Sequence, residues 1–103
     1  MLVVNSVRWR IVFVPPDSPM LTTDNGIQTL GMTDNRYKAV FLSDRLSGEK
    51  LYDVLCHELV HVYCFSYGIA MDGEDEEHMA QFISEYGRMV VSDTDALLRN
   101  MGL

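Results

Sequence analysis

In the stretch "LYDVLCHELVHVYCFSYG", Leu51 to Gly68, His57, Glu58 and His61 stand among residues that are apolar on nearly every side of a helix. Such a helix belongs in an interior, where an ionisable side chain without a partner is costly or gives up its charge. Three polar groups this close together need one shared explanation. His57 and His61 are four residues apart, so their imidazoles project from one face, about one turn or 5 to 6 Å from each other. That spacing suits two adjacent corners of a tetrahedral zinc site. Glu58 is turned roughly 100° around the helix, where its carboxylate can reach a water at the metal without displacing it, the place of a general base for hydrolysis. "HELVH" therefore reads as a metallopeptidase core motif.

Two histidines and a water leave such a site one protein ligand short, and the next helix should supply it. Glu76, Glu77 and His78 compete. Glu77 places Ala80 and Gln81 three and four residues on, a small residue and a hydrogen-bonding one on its own face, giving "EHMA", Glu-x-x-Ala. Glu76 aligns with Met79 and Ile83, and His78, a softer ligand, stands four residues before Phe82. Most of the acidic run from Asp72 to Glu77 suits the positive end of a helix dipole without any metal.

A chain of 103 residues, 48% hydrophobic and 22% charged, reads as a single folded domain over 1–103. The net charge of -7, with the basic residues scattered, argues against a direct nucleic-acid partner. The start, "MLVVNSVRWR", lacks the order of a signal peptide, and no apolar run approaches the roughly 18 residues of a membrane span. A soluble cytoplasmic protein without a membrane partner is expected. Cys56 and Cys64 lie about 12 Å apart along one helix, too far for a disulfide, so both are expected as reduced thiols in the core.

The rest of the chain must position the motif. "RWRIVFV" predicts a strand from Trp9 to Val14, stopped by Pro15 and Pro16. "GIQTLGMTDN" has room for a short strand before a turn at Thr33, Asp34 and Asn35, and "RYKAVFLS" predicts another strand. Ser47 is placed to cap a helix over 48 to 67, and Gly68 to end it. Met79, Phe82, Ile83, Tyr86, Met89 and Val90 form one apolar face of a second helix, and "SDTDALLRNMGL" predicts a short C-terminal helix with Ser92 as cap. Strands followed by helices give an α+β class, with about three strands.

"HELVHVYCFSYG" followed by "EEHMAQFISEYG" resembles the small gluzincins, zinc peptidases with a His-Glu-x-x-His helix and a glutamate from the next helix. Within them the chain looks most similar to the minimal, often phage- or mobile-element-encoded proteins akin to the ImmA/IrrE and SprT-like groups. "LGMTDNRYKAVFLSDRL" is similar to the turn and strand that precede this helix, so the resemblance covers roughly Leu30 to Gly87. It implies a minimal zincin-like fold, a small twisted sheet packed on two zinc-ligating helices. It also implies Zn2+ held by His57, His61 and Glu77, with Glu58 as general base. SprT-like proteins prefer a histidine as third ligand, which keeps His78 in play, and no Met-turn is present.

The expected activity is zinc-dependent peptide-bond hydrolysis on a protein or peptide substrate, which would add most simply to an exposed edge strand such as Tyr37 to Ser43. Tyr67, His78 and Tyr86 are available as oxyanion donors, and none is assigned that role. The alternative is a catalytically weak or inactive zincin scaffold that binds or regulates another protein, with zinc serving stability alone. Glu58 separates the two, because hydrolysis needs it and structure does not.

Overall fold

The computed structural model describes residues 2–102 and is α+β, a four-stranded mixed sheet followed by two long helices. In chain order these are β1 (Leu2–Val4), β2 (Val7–Val14), a 3-10 turn at Pro19–Leu21, β3 (Gly31–Asp34), β4 (Ala39–Ser43), α1 (Gly48–Tyr67) and α2 (Gly73–Asn100). The sheet order is β1-β2-β4-β3; β2 and β4 run parallel and the outer pairs antiparallel.

The strand that the sequence analysis does not predict is β1. It pairs with β2 through a two-residue turn in which Asn5 and Ser6 both have positive φ, 48° and 65°, the conformation that lets a hairpin follow the twist of its strands. Asparagine adopts it at little cost, so the signal was the Asn5 between two β-branched runs. The Asn5 side chain also donates to the Ser66 carbonyl at 2.9 Å, tying the turn to the end of α1.

The expectation of an edge strand from Tyr37 to Ser43 is overturned. β4 lies between β2 and β3, and all five of its residues are buried. Val40 and Leu42 join Trp9, Val4 and Val62 beneath α1, while Ala39 and Phe41 pack on Leu21 on the other face. A strand covered on both sides needs an unbroken apolar run, which "AVFL" supplies where a half-exposed edge would alternate. The edges are β1 and β3.

Helix α1 has the expected bounds, and Gly68 ends it in the left-handed conformation at φ 65°, its N–H donating to the Cys64 and Phe65 carbonyls. Ser47 stands at the N-cap, but its hydroxyl makes no capping bond. The predicted C-terminal helix is not separate. Residues from Gly73 to Asn100 form one helix, because no Gly or Pro interrupts "SDTDALL" and the Thr94 hydroxyl donates back to the Val90 carbonyl at 2.8 Å, absorbing a polar side chain within the helix.

The helices run antiparallel, with Glu49 of α1 paired to Arg88 of α2 at 3.0 Å and His61 to Glu76 at the other end. Since α2 has 28 residues against 20, its last turns run beyond the start of α1. The predicted apolar face of α2 is largely uncovered, alongside α1 as well as beyond it: Phe82, Ile83, Tyr86, Met89 and Val90 are exposed, and Ala80 and Ser84 are the buried positions. No helix among the described residues is long and apolar enough to cross a membrane.

Helix α1 meets the sheet edge at Gly31. A Cβ there would lie 2.8 Å from Val54 Cγ1 and 3.2 Å from both Glu58 Cγ and Leu42 Cδ2, so glycine sets how closely α1 approaches β3. Gly31→Ala should destabilise the protein by about 1–3 kcal/mol, an overpacking cost. At Gly73 a Cβ meets nothing within 4 Å. Thermal melts should show Gly31→Ala several degrees below Gly73→Ala; equal melting temperatures would refute the close approach.

Candidate metal centre

The all-round apolar character of α1 does not bury the whole helix. Tyr63, Phe65 and Tyr67 are exposed, while Glu58 is 8% exposed and lies among the buried positions with Val60, Val62 and Cys64. A carboxylate in that place requires a donor. The Thr33 hydroxyl of β3 supplies it, lying 2.9 Å from Glu58 Oε1 and 3.1 Å from the Glu58 carbonyl oxygen. Gly31 and Thr33 are two residues apart on a strand, so they share the face that meets α1, the first by leaving room and the second by donating.

On the neighbouring face of α1, the His57 and His61 rings lie with centroids 5.3 Å apart. The antiparallel hairpin brings the first turn of α2 opposite them. Glu77 Oε2 is 2.9 Å from His57 Nε2 and Glu77 Oε1 is 2.8 Å from His61 Nε2, so one carboxylate spans both imidazoles. His57, His61 and Glu77 form a group able to hold a metal ion, each offering a ligand atom within 4.8 Å of the others.

The geometry separates the three competitors for the third position. Glu77 alone faces both Nε2 atoms. Glu76, about 100° around α2, reaches the other nitrogen of His61, Nδ1, at 2.6 Å. His78 is exposed and outside the group. The acidic start of α2 divides accordingly: Asp72 caps the helix by accepting from the Glu74 N–H at 2.9 Å, Glu74 and Asp75 lie in its positive first turn, and the next two glutamates turn to the histidines.

The group lies in a cleft of about 740 Å³ whose walls include Leu30, Gly31 to Thr33 of the edge strand, Asp53, Val54, Glu58 and Gln81. Tyr67 and Tyr86 are exposed and, like His78, are not part of that wall. Thr33 is the site residue that sequence reasoning missed, having been read as part of a turn; its signal was "GMTD", a hydroxyl two residues from a glycine on one strand face. Cys56 and Cys64 are free thiols, half-buried and buried, as expected, and burial raises both above the usual thiol range.

Burial likewise pushes the Glu58 carboxyl above the usual carboxylate range, and the Thr33 hydrogen bond and the two histidines offset part of that rise. A carboxyl whose pKa is higher folded than unfolded favours the fold in its protonated form, so the cost of the ionised group is absent at low pH and grows as pH rises through the folded value. Glu58→Gln keeps an oxygen for Thr33 and removes the charge. With metal stripped by chelator, this variant should melt above wild type at pH 7, and the gap should close as pH falls below the ordinary carboxylate range, where Glu58 is protonated in the folded and the unfolded chain alike. A gap independent of pH would refute the electrostatic cost.

Comparison of the chain with protein-family models, curated proteins and solved structures finds no match.

Proposed function

We propose that the protein is a zinc-dependent metallopeptidase of the minimal gluzincin, zincin-like type, holding Zn2+ through His57 Nε2, His61 Nε2 and the Glu77 carboxylate. The observation that carries this reading is the convergence of those three donors in a cleft beside a buried carboxylate, Glu58. Two imidazoles and one carboxylate are a donor set suited to zinc, and three protein ligands leave a position open, as catalysis requires. When bound, the ion supplies Lewis acidity toward the scissile carbonyl and the attacking water.

The chain's own residues do the remaining work. Glu58 takes the proton of the attacking water and delivers it to the leaving amine nitrogen, and its burial raises its basicity toward that task. Thr33 fixes the carboxylate at Oε1, leaving Oε2 for the proton. An extended peptide would lie along β3 instead of β4. Because Ser43 N–H donates to the Leu30 carbonyl, the alternation of an antiparallel ladder turns the N–H and C=O groups of Gly31 and Thr33 away from β4, available to a substrate strand. The two free thiols suit the reducing conditions of the cytoplasm.

A second reading, a regulatory module with structural zinc, draws support from the apolar side chains that α2 leaves uncovered, including Phe82, Met89 and Leu97. It does not need Glu58. The deciding experiment measures zinc content by elemental analysis and cleavage of a peptide library by mass spectrometry. Wild type should bind one zinc and cleave. His61→Ala and Glu77→Ala should lose both properties, and His78→Ala should keep both. Glu58→Gln should keep the zinc and lose about 10²- to 10⁴-fold in rate, the worth of a general base. Zinc without cleavage in the wild type would favour the module, and no zinc would sink both readings.

A further inference from the structure

The His61 ring is held from both sides. Glu77 Oε1 faces its Nε2 at 2.8 Å and Glu76 Oε1 faces its Nδ1 at 2.6 Å, from consecutive residues of one helix. We infer that Glu76 is the positioning residue of the metal centre, fixing the orientation and tautomer of His61 through the Nδ1–H hydrogen bond so that Nε2 is presented to the ion. The inference rests on the zinc reading above.

Three observations carry it. Glu76 does not join Glu77 at the shared position between the two imidazoles, since its carboxylate meets His61 at Nδ1, whereas Glu77 faces the Nε2 atoms of both histidines. Its side chain is 17% exposed and that of His61 14%, against 57% for Glu77, so this contact is the most sheltered of the three between α1 histidines and α2 glutamates. A hydrogen bond to a charged acceptor is worth more in such surroundings. A carboxylate accepts, and an imidazole bound to an ion through Nε2 carries its one N–H at Nδ1, the nitrogen that faces Glu76. Glu76 also lies near enough to Cys64, a member of the buried cluster of Val60, Cys64 and Ala80, for its carboxylate to help raise that thiol. The two adjacent glutamates, which sequence spacing left as rivals for one role, thus take two roles because helical residues one apart diverge by about 100°.

The test is zinc affinity by competition with a chromophoric chelator, together with 15N-detected NMR of the imidazoles in the zinc-loaded protein. Glu76→Ala should weaken zinc binding about 10- to 100-fold, the usual cost of losing such a partner. Glu76→Gln, which retains an oxygen for the Nδ1–H, should recover part of that loss. Asp75→Asn, an equal loss of charge one residue away, should bind zinc as wild type does. In wild type the His61 signals should show Nδ1 protonated with slow hydrogen exchange, and Glu76→Ala should speed that exchange. Wild-type affinity in Glu76→Ala, or equal weakening in Asp75→Asn, would overturn the inference while leaving the zinc reading intact. Zinc kept in Glu77→Ala but abolished in Glu76→Ala would make Glu76 a ligand and overturn it too. A wild type that binds no zinc would fell the zinc reading first and this inference with it.

Discussion

The approach of α1 to the edge strand β3 is the constraint on which the site depends. Glu58 sits 8% exposed on a helix whose other buried positions are Val60, Val62 and Cys64, and such a carboxylate is tolerated only where a donor meets it. Thr33 provides that donor, and Gly31, two residues earlier, leaves the space that a Cβ would close to 2.8 Å from Val54. The glycine and the threonine thus act together, one by absence and one by a hydroxyl. Their strand is held against β4, which is buried on both faces and anchors the register of β3 through pairs from Gly31 with Leu42 to Asp34 with Ala39.

The second constraint is the helical hairpin. Gly68 turns the chain in a left-handed conformation, Asp72 caps the next helix, and the first turn of α2 arrives opposite the histidines. The favourable placement of acids at a helix start and the pairing of two imidazoles with carboxylates then coincide in one turn. The far ends of the helices are fastened by Arg88, which pairs with Glu49 and lies 3.7 Å from the centroid of the Tyr52 ring. Between these fastenings the interface is narrow, with small buried residues at Ala80 and Ser84. Past Arg88 no helix among the described residues lies beside α2, and Met89, Val90, Val91, Leu97 and Leu98 stay exposed there.

Helix α1 was legible because its bounds carry local chemistry, Ser47 at the N-cap position and Gly68 at the end, with an apolar stretch of the right length between. The strand preceding β3 in the sheet, β4, was legible as a strand but not in its place. Its unbroken apolar run is the signature of a central strand, since a half-exposed edge would alternate apolar and polar residues. The break expected near Ser92 rested on a capping pattern; the competing local bond from Thr94 to the Val90 carbonyl lets the helix continue. The hairpin at Asn5 and Ser6 has a weaker local signal, because serine in place of the usual glycine at the second turn position does not advertise a positive φ.

The sequence by itself determined the two histidines and the glutamate beside them, since spacings of one and four on a helix fix which groups share a face whatever else the chain does. It also determined that an acidic helix start follows, from which a third donor could come. Tertiary structure alone decided which of Glu76, Glu77 and His78 meets both imidazoles, because that choice depends on the rotation of one helix about its axis relative to another, and packing fixes that rotation through residues such as Ala80 and Ser84. It alone decided, too, that Thr33 would meet Glu58, since 25 residues of chain separate them and no local rule relates a strand's hydroxyl to a carboxylate on a later helix.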